Sequence, residues 1–224
     1  MKKYLIAVCV LVLISGICGF VTKKNFTDAG ILSMRTIEEA ENIPFRFYTI
    51  FDESSSQGFT DYEDSYVEDC EQSEYIAIVM PTGLIVENVG KLSQEAEVQK
   101  VSKGSRELEG KKIYLSSTSG LAQIEEDNNQ IYYIGIKNLM QKGDRYLAFF
   151  RSIKLNEELG EEYYALDGIF SYLNMDHTNE DEIIELDKEY QLKELKNVEF
   201  FTSSENALKG MNKIKQRIIQ KYGE

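Results

Sequence analysis

Residues 74–83 read EYIAIVMPTG. The run is apolar and β-branched without helical spacing, so it predicts a strand over 74–80 and a turn around Pro-Thr-Gly. The same signature recurs downstream, in AEVQKVS (96–102), KKIYLSS (111–117), QIYYIGI (130–136), DRYLAFFRSIK (144–154) and EYYALDGIFSYLNM (162–175). Turn-forming stretches such as KGSRELEG and EEDNNQ separate them. Short strands at this spacing point to a small antiparallel barrel or sandwich. The fold class is therefore α+β, mainly β.

Upstream of that block, TDYEDSYVEDCEQS predicts a helix. Thr60 and Glu63 stand as a capping box, and Tyr62, Tyr66, Val67 and Cys70 share one face. Cys70 on that face reads as a buried small apolar residue, and Glu68, Asp69 and Glu71 beside it disfavour a thiolate. ESSSQG before it reads as a loop, FRFYTIF (45–51) as a strand, and SMRTIEEAEN as a short helix stopped by Pro44. At the other end, Leu208, Met211, Ile214, Ile218 and Tyr222 form one apolar stripe on a helix capped by Ser203 or Ser204. Lys209, Lys213, Lys215, Arg217 and Lys221 cover the rest of that helix. The expected arrangement is a stripe docked on the barrel with a solvated basic face; a helix lying on an anionic membrane surface is the alternative.

Lys2 and Lys3 precede an uncharged run from Tyr4 to Thr22, which Lys23 and Lys24 close. It matches the ~17–25 residues of a spanning helix. The expected organisation is a signal anchor at 1–24, a tether with a short strand at 25–59, a helix plus barrel at 60–175, an acidic linker and strand at 176–202, and the docked helix at 203–224. Ile17 before Cys18 disfavours lipidation, while Gly16 and Cys18 keep signal cleavage and secretion open as an alternative. The short basic end stays inside and the body lies outside the cell membrane.

The chain carries 25 Lys and Arg against 38 Asp and Glu, a net charge of −13. Such a charge repels nucleic acid, so no nucleic-acid partner is expected. Cys9 and Cys18 fall in the anchor, which leaves Cys70 without a partner in the body. His177 is the one histidine. No GxSxG, SxxK or phosphate-loop motif is present, and no cofactor is expected. An enzyme would have to work through carboxylates in a barrel cleft, with Tyr132, Tyr133, Tyr163 and Tyr164 as platforms. One metal reading has the right spacing: Asn174, Asp176, Thr178, Glu180, Glu182 and Glu185 occupy positions 1, 3, 5, 7, 9 and 12 of a calcium loop, with Asn179 in place of the usual glycine.

EYIAIVMPTG, VQKVSKGSRELEGKKIYL, KGDRYLAFFRS and YYALDGIF, in that order, resemble exported proteins of Gram-positive bacteria. They are also similar to netrin-like modules of the tissue-inhibitor-of-metalloproteinase kind. That resemblance implies a barrel of the oligonucleotide/oligosaccharide-binding type used for protein contact, but not the inhibitory chemistry, because the family's amino-terminal cysteine and disulfides are missing. The reading is a membrane-anchored extracytoplasmic binding module, held by residues 4–22, whose partner is a protein at the cell surface. A cell-surface hydrolase and a calcium-binding surface protein are the alternatives.

Overall fold

The computed structural model describes residues 34–88, 91–124, 130–153, 163–166, 168–177 and 182–223. The expected anchor at 4–22 and Cys18 lie outside them. Among the described residues no helix is long and apolar enough to cross a membrane.

Five strands close a barrel: β2 (Tyr75–Asn88), β3 (Lys91–Lys103), β4 (Lys112–Ser117), β8 (Tyr163–Leu166) and β7 (Tyr146–Ser152), with β7 returning to β2. The expected barrel is present, but it is not wholly antiparallel, since β4 and β8 run parallel with Leu115 opposite Tyr164. Strand directions cannot alternate around a ring of odd number, so one neighbouring pair must be parallel. The short β9 (Tyr172–Asn174) pairs with the first half of β7, at Tyr146–Ala148, next to the stretch that pairs with β8.

β7 shows why its sequence is apolar without a break. Tyr146, Ala148 and Phe150 point into the barrel with Val79, Val98 and Ile113. Leu147 and Phe149 point out, into a layer made with the helices. A strand covered on both faces needs apolar residues at every position. The turn expected around PTG does not form; β2 runs through it, with a register irregularity between Pro81 and Ile85. Gly83 sits there at φ +91°, a conformation open chiefly to glycine, and lets the strand bend without ending. Beyond the bend, Ile85 and Leu92 leave the barrel and join a second core.

That second core belongs to a four-stranded sheet in the order β10-β1-β6-β5, made of β10 (Tyr190–Gln191), β1 (Pro44–Phe47), β6 (Gln130–Ile134) and β5 (Gly120–Ile124). The QIYYIGI stretch is thus not a barrel strand; it pairs parallel with β1 and antiparallel with β5. The stretch expected as a tether packs here as well: α1 (Ile37–Ala40), capped by Thr36, buries Ile37 and Ala40 beside Met34, Phe45 and Phe47. FRFYTIF is a strand only to Phe47, and Phe51 forms an isolated bridge with Thr202. Nor is 176–202 a linker, since Ile184, Leu192, Leu195, Val198 and Phe201 are buried in the same core.

Three helices cover the outer face of β7. ESSSQG is not a loop but most of α2 (Glu53–Asp61), capped by Asp52, and Thr60 lies inside it instead of capping the next helix. α3 (Glu63–Gln72) follows with no side-chain cap, and Tyr62 at the junction is 63% exposed, off the expected apolar face. Tertiary contacts hold α2. The Glu53 carboxylate accepts hydrogen bonds from the hydroxyl of Ser204 and from Asn206 Nδ2, and Phe59 is buried. α4 (Glu205–Tyr222) is capped by Ser204, which accepts from Ala207 N. Its expected stripe is buried, with Met211, Ile214 and Ile218 at 0% exposure. Its basic residues do not simply face solvent. Lys213 and Arg217 pair with Glu63, Arg217 also with Asp64, and Lys221 with Glu71, all on α3. A basic helix in an acidic protein is thus matched to its own acidic neighbour.

Candidate functional site

Residues 135–145 connect β6 to β7 and cross the region where the two cores meet. Their backbone pairs with 199–201: Asn138 N donates to Glu199 O (3.0 Å) and Phe201 N to Ile136 O (2.8 Å). This pairing places Lys137 and Glu199 side by side in the interior, at 2% and 8% exposure. Lys137 Nζ lies 3.3 Å from Glu199 Oε1, and 3.9 Å and 5.1 Å from the ring centres of Tyr172 and Phe200. Lys215, from the inner face of α4, meets the other carboxylate oxygen at 2.5 Å. Asn174 N of β9 also donates to Glu199 Oε1 (3.1 Å). One buried carboxylate therefore ties together β9, the 135–145 connection and α4. Loss of hydration pulls the Lys137 ammonium down to about 8, and Lys215 adds to the effect while Glu199 opposes it. An amine at that value can react, but this one is sealed from solvent, so its role is to hold the elements in register.

Asn174 links this cluster to the surface. Its Oδ1 accepts from Asp176 N (2.8 Å) and His177 N (2.9 Å), which fixes Nδ2 toward Asp144 Oδ2 (2.9 Å) and the Tyr146 hydroxyl (3.1 Å). The Tyr172 hydroxyl donates to Asn138 O (2.7 Å), and burial raises the pKa of both phenols. Above them is a pit of about 20 Å³ between Tyr146, Tyr172, Asn174 and Glu199, room for a single water-sized group. At His177, Lys196 and Asn197 it meets a groove of about 270 Å³. Two ion pairs line the groove, Lys142–Glu38 (3.3 Å) and Lys196–Glu41 (2.9 Å), and His177 Nε2 lies 3.3 Å from Asp144 Oδ1.

The residues expected as calcium ligands fall partly in this region. Asn174 is buried and spent on the turn and on Tyr146. Both oxygens of Asp176 are held by Arg145, through its backbone N (2.7 Å), Nε (2.9 Å) and guanidinium (2.5 Å), so a cation already stands at that carboxylate. Glu185 is exposed and its backbone N donates to the Tyr190 hydroxyl (2.9 Å); Glu182 is half-buried. Thr178 and Glu180 lie outside the described residues, among which no three acidic, histidine or cysteine side chains converge. His177 is exposed, as its polar surroundings suggest. Cys70 is buried, its thiol pushed up to about 12, mainly by burial, and its Sγ faces Phe170 O at 3.8 Å. Of the tyrosines considered as sugar platforms, Tyr133 and Tyr164 are core residues and Tyr132 packs edge-on against exposed Tyr48; the side chain of Tyr163 is outside the description.

Lys137, Glu199 and Lys215 were not legible as a set. A signal does exist for the first two: each is a lone charge inside an apolar run, IGIKNLM and NVEFF. Such a charge must be paired when the run is buried. Lys215 alternates with other lysines and carries no such mark. Comparison of the chain with protein-family models, with curated proteins and with solved structures found no match in any of the three.

Proposed function

We propose that this protein is a membrane-anchored extracytoplasmic binding module, held by residues 4–22, that contacts a protein partner through the outside of its barrel. The supporting observation is the filled interior: Val79, Val98, Ile113, Leu115, Tyr146 and Phe150 are all buried at 4% exposure or less. A packed barrel works through its outer face and its ends. The order β2-β3-β4-β8-β7 with return to β2 and a parallel β4–β8 pair supports the oligonucleotide/oligosaccharide-binding type, as in netrin-like modules. Barrels of that type use the face of their second and third strands. Here these are β3 and β4, where Glu97, Gln99, Lys112 and Tyr114 offer a shallow polar surface with one aromatic residue. Net charge disfavours nucleic acid as the ligand, and a face with one aromatic residue is a poor platform for a sugar chain, which favours protein.

Intact cells test the reading. External protease is expected to degrade the body, and a photoreactive residue at Gln99 or Lys112 to give one discrete protein adduct that the same residue at Lys209 does not. Protection of the body until the cells are lysed, or no adduct from β3 and β4, rejects it.

A further inference from the structure

The groove holds one carboxylate that no fixed cation answers. Glu38 pairs with Lys142 and Glu41 with Lys196, while Glu199 in the pit is met from behind by Lys137 and Lys215, neither of which lines the cavity. Asp144 differs. Its partners among the described residues are the Asn174 amide (2.9 Å) and His177 Nε2 (3.3 Å), a cation only when protonated. The neighbouring Arg145 is committed to Asp176. Carboxylates therefore outnumber lysines along the lining, and the surplus charge sits on Asp144, whose side chain is 19% exposed.

A second, independent feature is a buried donor without an acceptor. Tyr146 is 3% exposed and a wall of the pit, and its hydroxyl oxygen accepts from Gln141 N (2.8 Å) and Asn174 Nδ2 (3.1 Å). Gln141 uses a backbone N–H, and Asn174 Nδ2 is fixed as a donor because Oδ1 already accepts two backbone N–H groups. With both lone pairs engaged, the phenol acts further only as a donor, and its proton meets no acceptor among the described residues. Leaving such a group unmet is costly, so the pit calls for one acceptor oxygen. Tyr146 and Asp144 bond to the same Asn174 nitrogen and are near neighbours, and pit and groove meet at His177, Lys196 and Asn197. One small ligand can reach both.

We propose that pit and groove bind a primary ammonium group with a carbonyl oxygen beside it, the ammonium on Asp144 and the oxygen accepting the Tyr146 proton. This is the chemistry of the amino end of a peptide and of a free amino-acid amide. The pit, at about 20 Å³, admits the oxygen alone. The groove, at about 270 Å³ somewhat below the ~300 Å³ at which drug-sized pockets begin, has room for the first residues of a peptide. The site is independent of the β3–β4 face and of the chain's location, so either reading can fail without the other.

The test follows the ring of His177, the one histidine, and the Asn174 side-chain amide by NMR in purified full-length protein at constant ionic strength. Glycinamide is expected to give saturable shifts. Methylamine, which lacks the oxygen, and N-acetylglycinamide, which lacks the ammonium, are each expected to bind at least about tenfold more weakly. Triglycine amide separates the two sources: binding like that of glycinamide assigns the site to peptide amino ends, and its exclusion assigns the site to free amino-acid amides. Asp144→Asn keeps the shape and removes the charge, and is expected to weaken glycinamide by about tenfold or more, whereas Glu205→Gln, on the exposed start of α4, leaves binding unchanged. Should Asp144→Asn not fold, the comparison of glycinamide with methylamine and N-acetylglycinamide in the wild type decides alone. The absence of a saturable shift with glycinamide overturns the proposal. So does equal binding of methylamine or N-acetylglycinamide, or undiminished binding in folded Asp144→Asn.

Discussion

Glu199 is the residue on which the interior depends most. It answers two buried ammonium groups and one backbone N–H, and breaking such a pair leaves uncompensated charge. Glu199→Ala is expected to cost about 3–5 kcal/mol in urea unfolding. Lys137→Met is expected to behave oppositely, melting at or above the wild-type temperature, because Glu199 keeps Lys215 and an apolar side chain suits the space against Tyr172 and Phe200. Equal losses in both variants would show that the triad acts as one unit. The same lysine sets a pH dependence. Its value is about 8 in the folded chain against an ordinary 10.5, so the unfolded chain binds more protons between these values and stability rises with pH across that window. Cys70 works the other way: raised from 9.0 to about 12, it keeps its proton when folded, and stability is lost as pH climbs above 9.0. The difference in unfolding free energy between wild type and Lys137→Met isolates the rise from about pH 8; a flat difference refutes the assignment.

At the scale of elements, α4 is bound by shape on one side and by charge on another. Gly210 is there because α2 comes close: a Cβ at 210 would lie 2.7 Å from Phe59 Cβ. In a free helix Gly→Ala gains about 1 kcal/mol. Here Gly210→Ala is expected to lower the melting temperature, and a rise would mean that the two helices are not in contact. Ile214→Asp puts an unpaired charge at a site of 0% exposure and is expected to unfold the domain. Reversing Lys213 and Arg217 to Glu together is not neutral either, since both face Glu63 and Arg217 also faces Asp64. A modest loss of stability that shrinks in high salt is expected from such partly exposed pairs. Indifference to both charge reversal and salt would release the basic face for contact with a membrane.

For the molecule as a whole, the barrel is not self-sufficient. β2 and β3 serve the barrel with one half and the second sheet with the other, through Ile85 and Leu92. The outer face of β7 is finished by the helices together with Phe170, Leu173 and Phe200. A chain beginning at Asn42 loses Met34, Ile37 and Ala40, all at 4% exposure or less. Burying Met34 and Ile37 contributes about 1.5–3 kcal/mol each, so this truncation is expected to leave the second sheet molten, seen as dye binding and lost near-ultraviolet dichroism. An unchanged melting temperature would restore the view of residues 25–59 as a tether.

The sequence by itself determined that this is a mainly β body with a capped carboxyl-terminal helix, because β-branched and aromatic apolar runs, turn residues and a 3.6-residue stripe are local signals. EYIAIVM, DRYLAFFRS and the stripe from Leu208 to Ile218 were readable for that reason. Only the tertiary structure decided which sheet QIYYIGI joins, that ESSSQG is helical, and that Lys137, Glu199 and Lys215 meet. An apolar, β-branched run reads the same in a barrel strand as in a neighbouring sheet. α2 is held by Glu53 bonding to Ser204 and Asn206 and by Phe59 against Gly210, partners about 150 residues away. The charge of a lysine in a sequence carries no mark of the carboxylate, 62 residues distant, that makes its burial possible.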